Sequence, residues 1–164
     1  MRAQDGPDPE HPVYKTLDLT IEVLAAQNLP LPPDGTKVSS FRPYVKVEIH
    51  VESPDDRRGK PRPDADAGAE HEGEFKARTT TNKGVNPDFR GETLRFGRIG
   101  GVVPELTFVR FTVRDDELGR DDLAGWACVR LDRVRSGYRF VHLLDCSGRL
   151  TKGVVLVKIS KSLV

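Results

Sequence analysis

From Tyr44 to Val51 the chain reads YVKVEIHV, with Val45, Val47, Ile49 and Val51 on one side of a two-residue period and Lys46, Glu48 and His50 on the other. A strand turns successive side chains to opposite faces, so this alternation describes a half-buried β-strand and not a helix. Seven further runs share the habit: LDLTIEVLAAQNL (17–29), FKARTTT (75–81), GETLRFG (91–97), ELTFVRFTV (105–113), GWACVRLDRV (125–134), YRFVHLL (138–144) and GVVLVKI (153–159). They are punctuated by Gly, Pro, Asn and Asp, and helical periodicity is almost absent. Eight such runs predict an all-β fold, an eight-stranded antiparallel β-sandwich.

At 164 residues the chain has room for one domain with a sizeable core. We expect a flexible lead over 1–14 and a single domain over 15–164, interrupted by a disordered insertion at about 52–74. That segment, ESPDDRRGKPRPDADAGAEHEGE, holds no aliphatic residue larger than Ala and no aromatic one. It cannot bury enough apolar area to offset backbone ordering, which costs about 1–2 kcal/mol per residue.

The balance of charges excludes several functions. A formal net charge of +1 supplies no global field for nucleic acid, so any electrostatic docking must come from local patches. No apolar run reaches membrane-spanning length, and the opening residues lack the apolar middle of a secretory signal. Cys128 and Cys146 are read as free thiols of a reducing, cytoplasmic compartment. His50 and His142 lack a second ligand at metal spacing, and no nucleophile elbow, zinc spacing or phosphate-cradling glycine loop is present. The chain is expected not to be an enzyme by itself.

If consecutive strands run antiparallel, the segments 30–43, 82–90 and 114–124 emerge at one end of the sandwich, and the insertion at the other. The strings at that three-loop end, LTIEVLAAQNLPLP, RPYVKVEIHV, TTTNKGVNPDFRGETLRF and VPELTFVRFTVRDDELGRDDLAGW, resemble the C2 domain. The turn with Asn86, Pro87 and Phe89, and the GYRFVHLLDCSG segment with Gly137, Tyr138, His142 and Leu143, resemble more narrowly the C2 domain of eukaryotic phosphoinositide-specific phospholipase C. The resemblance covers roughly residues 17–160. It implies a module that contacts anionic phospholipid membrane as a cytoplasmic, peripheral protein and packs against the catalytic barrel of a parent lipase. The phosphodiester chemistry of that family belongs to the barrel.

The resemblance also implies a calcium site. Calcium needs six to eight hard oxygen ligands. By motif position Asp115, Glu117 and Asp122 would be ligands, with Asp34 offering a further carboxylate and Asn82 a carbonyl oxygen. Two departures weigh on it. Glu117 stands where the family usually has Asp, and Arg42-Pro43-Tyr44 replaces the usual Asp-Pro-Tyr. A unit charge about 4 Å from another interacts by about 4 kcal/mol at an effective dielectric near 20, so Arg42 would repel calcium and attract the acidic loop. Two readings stand: an internal salt bridge without metal, silenced by Arg42, or weak, lipid-assisted calcium binding.

Leu31, Phe41 and Leu118 fall at the same end as candidate membrane-inserting residues, with packing beneath its own loop the alternative for Phe41. Lys46, Lys76, Arg78 and Lys83 form a candidate anionic-lipid patch, or else a solvated strand face with Glu48 interspersed. Trp126 lies opposite in register to Ala127, Val129 and Leu131, and is read as an outward aromatic, a partner contact or ordinary packing under a loop. The expected function is a phospholipid-binding module with weak or no calcium dependence. The rival is a protein–protein interaction or scaffold module that has lost lipid binding.

Overall fold

A computed structural model describes residues 13–52, 74–117 and 120–164. The expected insertion lies almost wholly outside them, as do most of the expected lead and Leu118. The eight strands are β1 (Lys15–Gln27), β2 (Pro43–His50), β3 (Glu74–Arg78), β4 (Asp88–Val102), β5 (Phe108–Glu117), β6 (Arg120–Arg130), β7 (Gly137–Leu144) and β8 (Leu150–Leu163). Every ladder is antiparallel, and the strands run β3-β2-β5-β6-β7-β8-β1-β4. The fold is an eight-stranded antiparallel β-sandwich.

Its two layers are the two halves of that order. Val45, Val47 and Ile49 of β2 and Phe111 of β5 share one core with Leu19 and Ile21 of β1 and Val155 and Val157 of β8. Each of these is almost fully buried. At about 1.5–3 kcal/mol per large apolar side chain, such a core is the main force holding the layers together. Within β1 the odd positions Leu17, Leu19, Ile21 and Val23 face inward, as alternation requires.

The halves are joined weakly in the middle. β6 and β7 share one ladder pair, Trp126 with Leu144. Below it the strands part because the 3₁₀ turn Leu131–Arg133 carries the chain aside: Leu131 is fully buried and its N–H donates to Thr107 O at 2.7 Å.

The strand boundaries differ from expectation mainly at the three-loop end. β5 and β6 run past 113 and before 125, so that within the expected acidic loop 114–124 residues 114–117 and 120–123 form a ladder. Hydrophobicity could not reveal this, because the extension consists of charged residues whose alternation is between two sets of carboxylates.

Candidate functional site

The three loops do meet at one pole. Arg42 O accepts from Asp116 N–H at 2.9 Å, Pro43 O from Asn82 N–H at 2.8 Å, and Phe41 O from Gly84 N–H at 3.1 Å. The Asn86-Pro87 turn holds the first loop: Asn86 Oδ1 accepts from Asn28 N–H at 2.9 Å, and Pro87 O from Ala26 N–H at 3.0 Å. Asn28 itself adopts φ +53, a left-handed conformation that asparagine tolerates better than most residues.

The pleat of the β5–β6 hairpin sorts its carboxylates. Asp115 stands opposite Asp122, Asp116 opposite Asp121, and Glu117 opposite Arg120. Like charges paired across a ladder are destabilising, so each face of the hairpin favours a nearby positive charge.

On one face, Asp34, Glu117 and Asp122 bring carboxylate oxygens within 4.8 Å of one another. Asp115 is fully buried beside them; its Oδ1 accepts from Arg42 N–H at 2.9 Å, and among the described residues its Oδ2 has no hydrogen-bond donor. Asp34 is positioned by its own turn, where its Oδ1 accepts from Thr36 N–H at 3.0 Å and also from the Thr36 hydroxyl. Desolvation first, then the neighbouring charges of Asp115, Asp34 and Asp122, push the Glu117 carboxyl above the usual range. A buried carboxylate oxygen left without a donor, together with three more carboxyls, is a donor set that suits calcium.

Two residues expected there do not join the cluster. The Asn82 amide serves its own loop, Nδ2 donating to Asp88 O at 2.6 Å and Oδ1 accepting from Lys83 N–H at 2.8 Å. The Arg42 side chain is exposed, and among the described residues it makes no ion pair with Asp115 or its neighbours. What ties residue 42 to the acidic strand is its main chain, which binds Asp115 and Asp116. The internal salt bridge expected from the sequence is therefore replaced by backbone contacts.

On the other face the acids meet cations. The Thr81 hydroxyl donates to Asp116 Oδ2 at 2.7 Å, and Arg78 Nη2 lies 3.7 Å from the same oxygen. Tyr44 donates its hydroxyl to Asp121 Oδ2, while the Arg78 guanidinium stacks 3.6 Å from the Tyr44 ring centre. Burial and the Asp121 contact push the Tyr44 phenol up to about 12. Sequence reasoning missed Tyr44, Asp116 and Asp121 as a set. Alternation within each strand of DDELGRDD was the signal available, with parity exchanged between the two strands so that Asp115, Glu117 and Asp122 part from Asp116 and Asp121.

The basic residues lie next to this second face. β2 and β3 are neighbours, and Lys46 stands opposite Arg78 while Glu48 stands opposite Lys76. Tyr44, Lys46, Lys76, Arg78 and Asp121 line a cavity of about 260 Å³. Glu48 is buried; its desolvation is outweighed by the His50 ring at 2.8 Å and the Lys46 amine at 3.3 Å, which hold its carboxyl below the usual range. Lys83 is exposed in the loop beyond.

The apolar candidates require correction. Phe41 is 1% exposed and belongs to the core, so it packs beneath its own loop and is not presented for membrane insertion. Leu31 is half-buried against the same core. Trp126 is also half-buried, with Nε1 donating to Asp145 O at 2.9 Å, which makes it a packing residue under a loop. Cys128 and Cys146 are free thiols. Among the described residues no helix is long and apolar enough to cross a membrane.

The family model described as the C2 domain matches residues 17–146. The chain is 34% identical over 154 residues to a bovine 1-phosphatidylinositol 4,5-bisphosphate phosphodiesterase delta-4, covering 89% of this chain and 16% of that protein. It is 36% identical over 142 residues to the human delta-3 protein, covering 86% and 16%. Among solved structures it resembles PLC21 of S. officinalis, with a TM-score of 0.63, 21% identity and coverage of 94% of this chain and 17% of the other. A C2 domain of a plant extended synaptotagmin 1 matches with a TM-score of 0.58 at 17% identity, over 94% of this chain and 98% of that one. The chain spans about 16% of the length of its curated relatives. It belongs to the C2 domain family, and is related within it to the C2 regions of the delta-type phosphoinositide phospholipases C.

Proposed function

We propose that the chain is a phospholipid-binding module of the phosphoinositide phospholipase C kind, which places an associated catalytic barrel on anionic membrane with weak calcium dependence. The observation that carries this reading is the two-sided hairpin: the β5–β6 tip presents three carboxyls on one face, joined there by Asp34 of the first loop, and adjoins the Lys46–Arg78 pair on the other. Both chemistries thereby address the same approaching surface.

Asp34, Asp115, Glu117 and Asp122 would hold calcium, which when bound would supply a positive charge facing lipid phosphate. The exposed positive charge of Arg42, where a ligand would otherwise stand, lowers affinity for the ion without pairing to the cluster. Lys46, Lys76 and Arg78 attract anionic headgroups whether or not the ion is present, each basic residue near the leaflet contributing about 1 kcal/mol. Peripheral association at the cytoplasmic face of a membrane follows.

Vesicle sedimentation tests the proposal. Vesicles containing phosphatidylserine should retain the chain without calcium and somewhat better with it, and pure phosphatidylcholine vesicles should not. Equal partitioning to both compositions, with and without calcium, overturns it.

A further inference from the structure

Where β6 and β7 part, the sandwich is open. The slot between them is a cavity of about 570 Å³ that reaches the core residues Phe111 and Ile159 and runs past Cys128, Val129 and Val141. It is closed at one end by the Trp126–Leu144 pair and at the other by the turn Leu131–Arg133. Among the described residues no main-chain hydrogen bond joins 127–130 to 137–143 across it. Both strands therefore present free ladder edges to an apolar slot, an arrangement open to a further strand.

Charge identifies the kind of occupant. Arg133, Arg135 and Arg139 line the slot, and all three are exposed. Lys161 donates to Leu131 O at 3.1 Å, and its ammonium is disfavoured first by burial and then, against the opposing pull of Asp132, by the charge of Arg135. Asp132, the acid within this turn, is already held by Arg130 through two contacts of 2.6 and 2.7 Å. The closed end thus carries an excess of positive charge, while Phe140 beside it is 67% exposed. An acyl tail could fill the apolar floor but would leave the edge N–H and C=O groups dry and unpaired, which is costly. A peptide satisfies them.

We propose that the slot between β6 and β7 binds an extended peptide segment of a partner protein, in which acidic residues alternate with β-branched or other aliphatic ones. Its main chain pairs with the strand edges, its apolar side chains enter the slot, and its carboxylates meet Arg133, Arg135 and Arg139. This interaction is separate from the membrane-facing pole and does not depend on it.

The experiment is selection of a random dodecapeptide display library on the intact chain. Enriched peptides should alternate acidic and aliphatic residues. The best of them should protect main-chain amides at 127–130 and 138–143 from hydrogen exchange, and should slow alkylation of Cys128 but not of Cys146. Arg133→Glu with Arg135→Glu, both at exposed positions and checked by thermal melting, should weaken it by about ten-fold or more. Alternate N-methylation of the peptide should abolish binding. No enrichment, equal binding to the charge-reversed variant, protection elsewhere in the fold, or tolerance of N-methylation overturns the proposal. Laurate protecting these amides where no peptide does overturns it in favour of an acyl ligand, and concentration-dependent protection without any added ligand overturns it in favour of a second copy of the chain.

Discussion

The main-chain N–H of Arg42 donates to Asp115 Oδ1 at 2.9 Å, across 73 residues of sequence. A buried carboxylate is thereby fixed at the base of the acidic cluster by the backbone of a residue whose own side chain is exposed. The main chain at position 42 makes this contact, so its side chain can be changed separately from it.

Replacing Asp115 separates an acceptor from a charge. Asp115→Ala orphans the Arg42 N–H and should cost about 1–3 kcal/mol in urea unfolding. Asp115→Asn retains an acceptor and removes repulsion from Asp122 and Glu117, so it should lose clearly less. Equal losses for the two variants would refute the account.

Arg42→Asp changes the side chain and leaves the main-chain contacts available. Titration calorimetry should show calcium binding tightened by roughly ten-fold or more, because a repelling charge becomes a carboxylate. An affinity equal to that of the unmodified chain would remove Arg42 from the electrostatic argument.

The basic face is graded. Lys46 is 25% exposed and 3.3 Å from Glu48, whereas Arg78 is 44% exposed and stacks on Tyr44. Arg78→Ala should lower affinity for phosphatidylserine vesicles by about five-fold, the effect of about 1 kcal/mol. Lys46→Ala should do less, since the Lys46 amine is the less exposed of the two and already faces the Glu48 carboxylate. The reverse order would show that the Glu48 contact does not govern Lys46.

Glu48 supplies a pH test. Its carboxyl is held below the reference value of 4.5, so the folded state binds that proton less readily than the unfolded chain. The stability it contributes is fully present above about pH 4.5 and is lost as pH falls through the lowered folded value. Glu48→Gln should flatten the dependence of melting temperature on pH in that acidic window, with little change in slope near neutrality.

Phe41→Ala should destabilise the fold by roughly 3–5 kcal/mol through the cavity it leaves. The protein remaining folded should bind vesicles with unchanged affinity. A selective loss of lipid binding at full stability would return Phe41 to the membrane interface.

Much of the architecture was legible in the chain because apolar residues alternate where one face is buried. Val45, Val47 and Ile49 fall inward in both the sequence pattern and the structure. The meeting of three loops followed from antiparallel parity alone. Phe41 was ambiguous because a large apolar residue in a loop looks the same in sequence whether it lies under that loop or outside it. Asn82 was misplaced because a short polar side chain finds its nearest backbone first, here Asp88 O. The β6–β7 opening had no signature in either strand, since it arises from where Leu131 anchors the turn between them.

The hairpin's sorting of carboxylates rests on counting alone. Adding or removing a single residue in β5 ahead of Asp115 would send Asp116 into the cluster with Asp34 and turn Asp115 and Glu117 towards Arg78 and Tyr44. Length at this point is therefore far less forgiving than composition: an Asp-to-Glu exchange alters reach, whereas an indel trades the Asp34-facing side of the tip for the arginine-facing one.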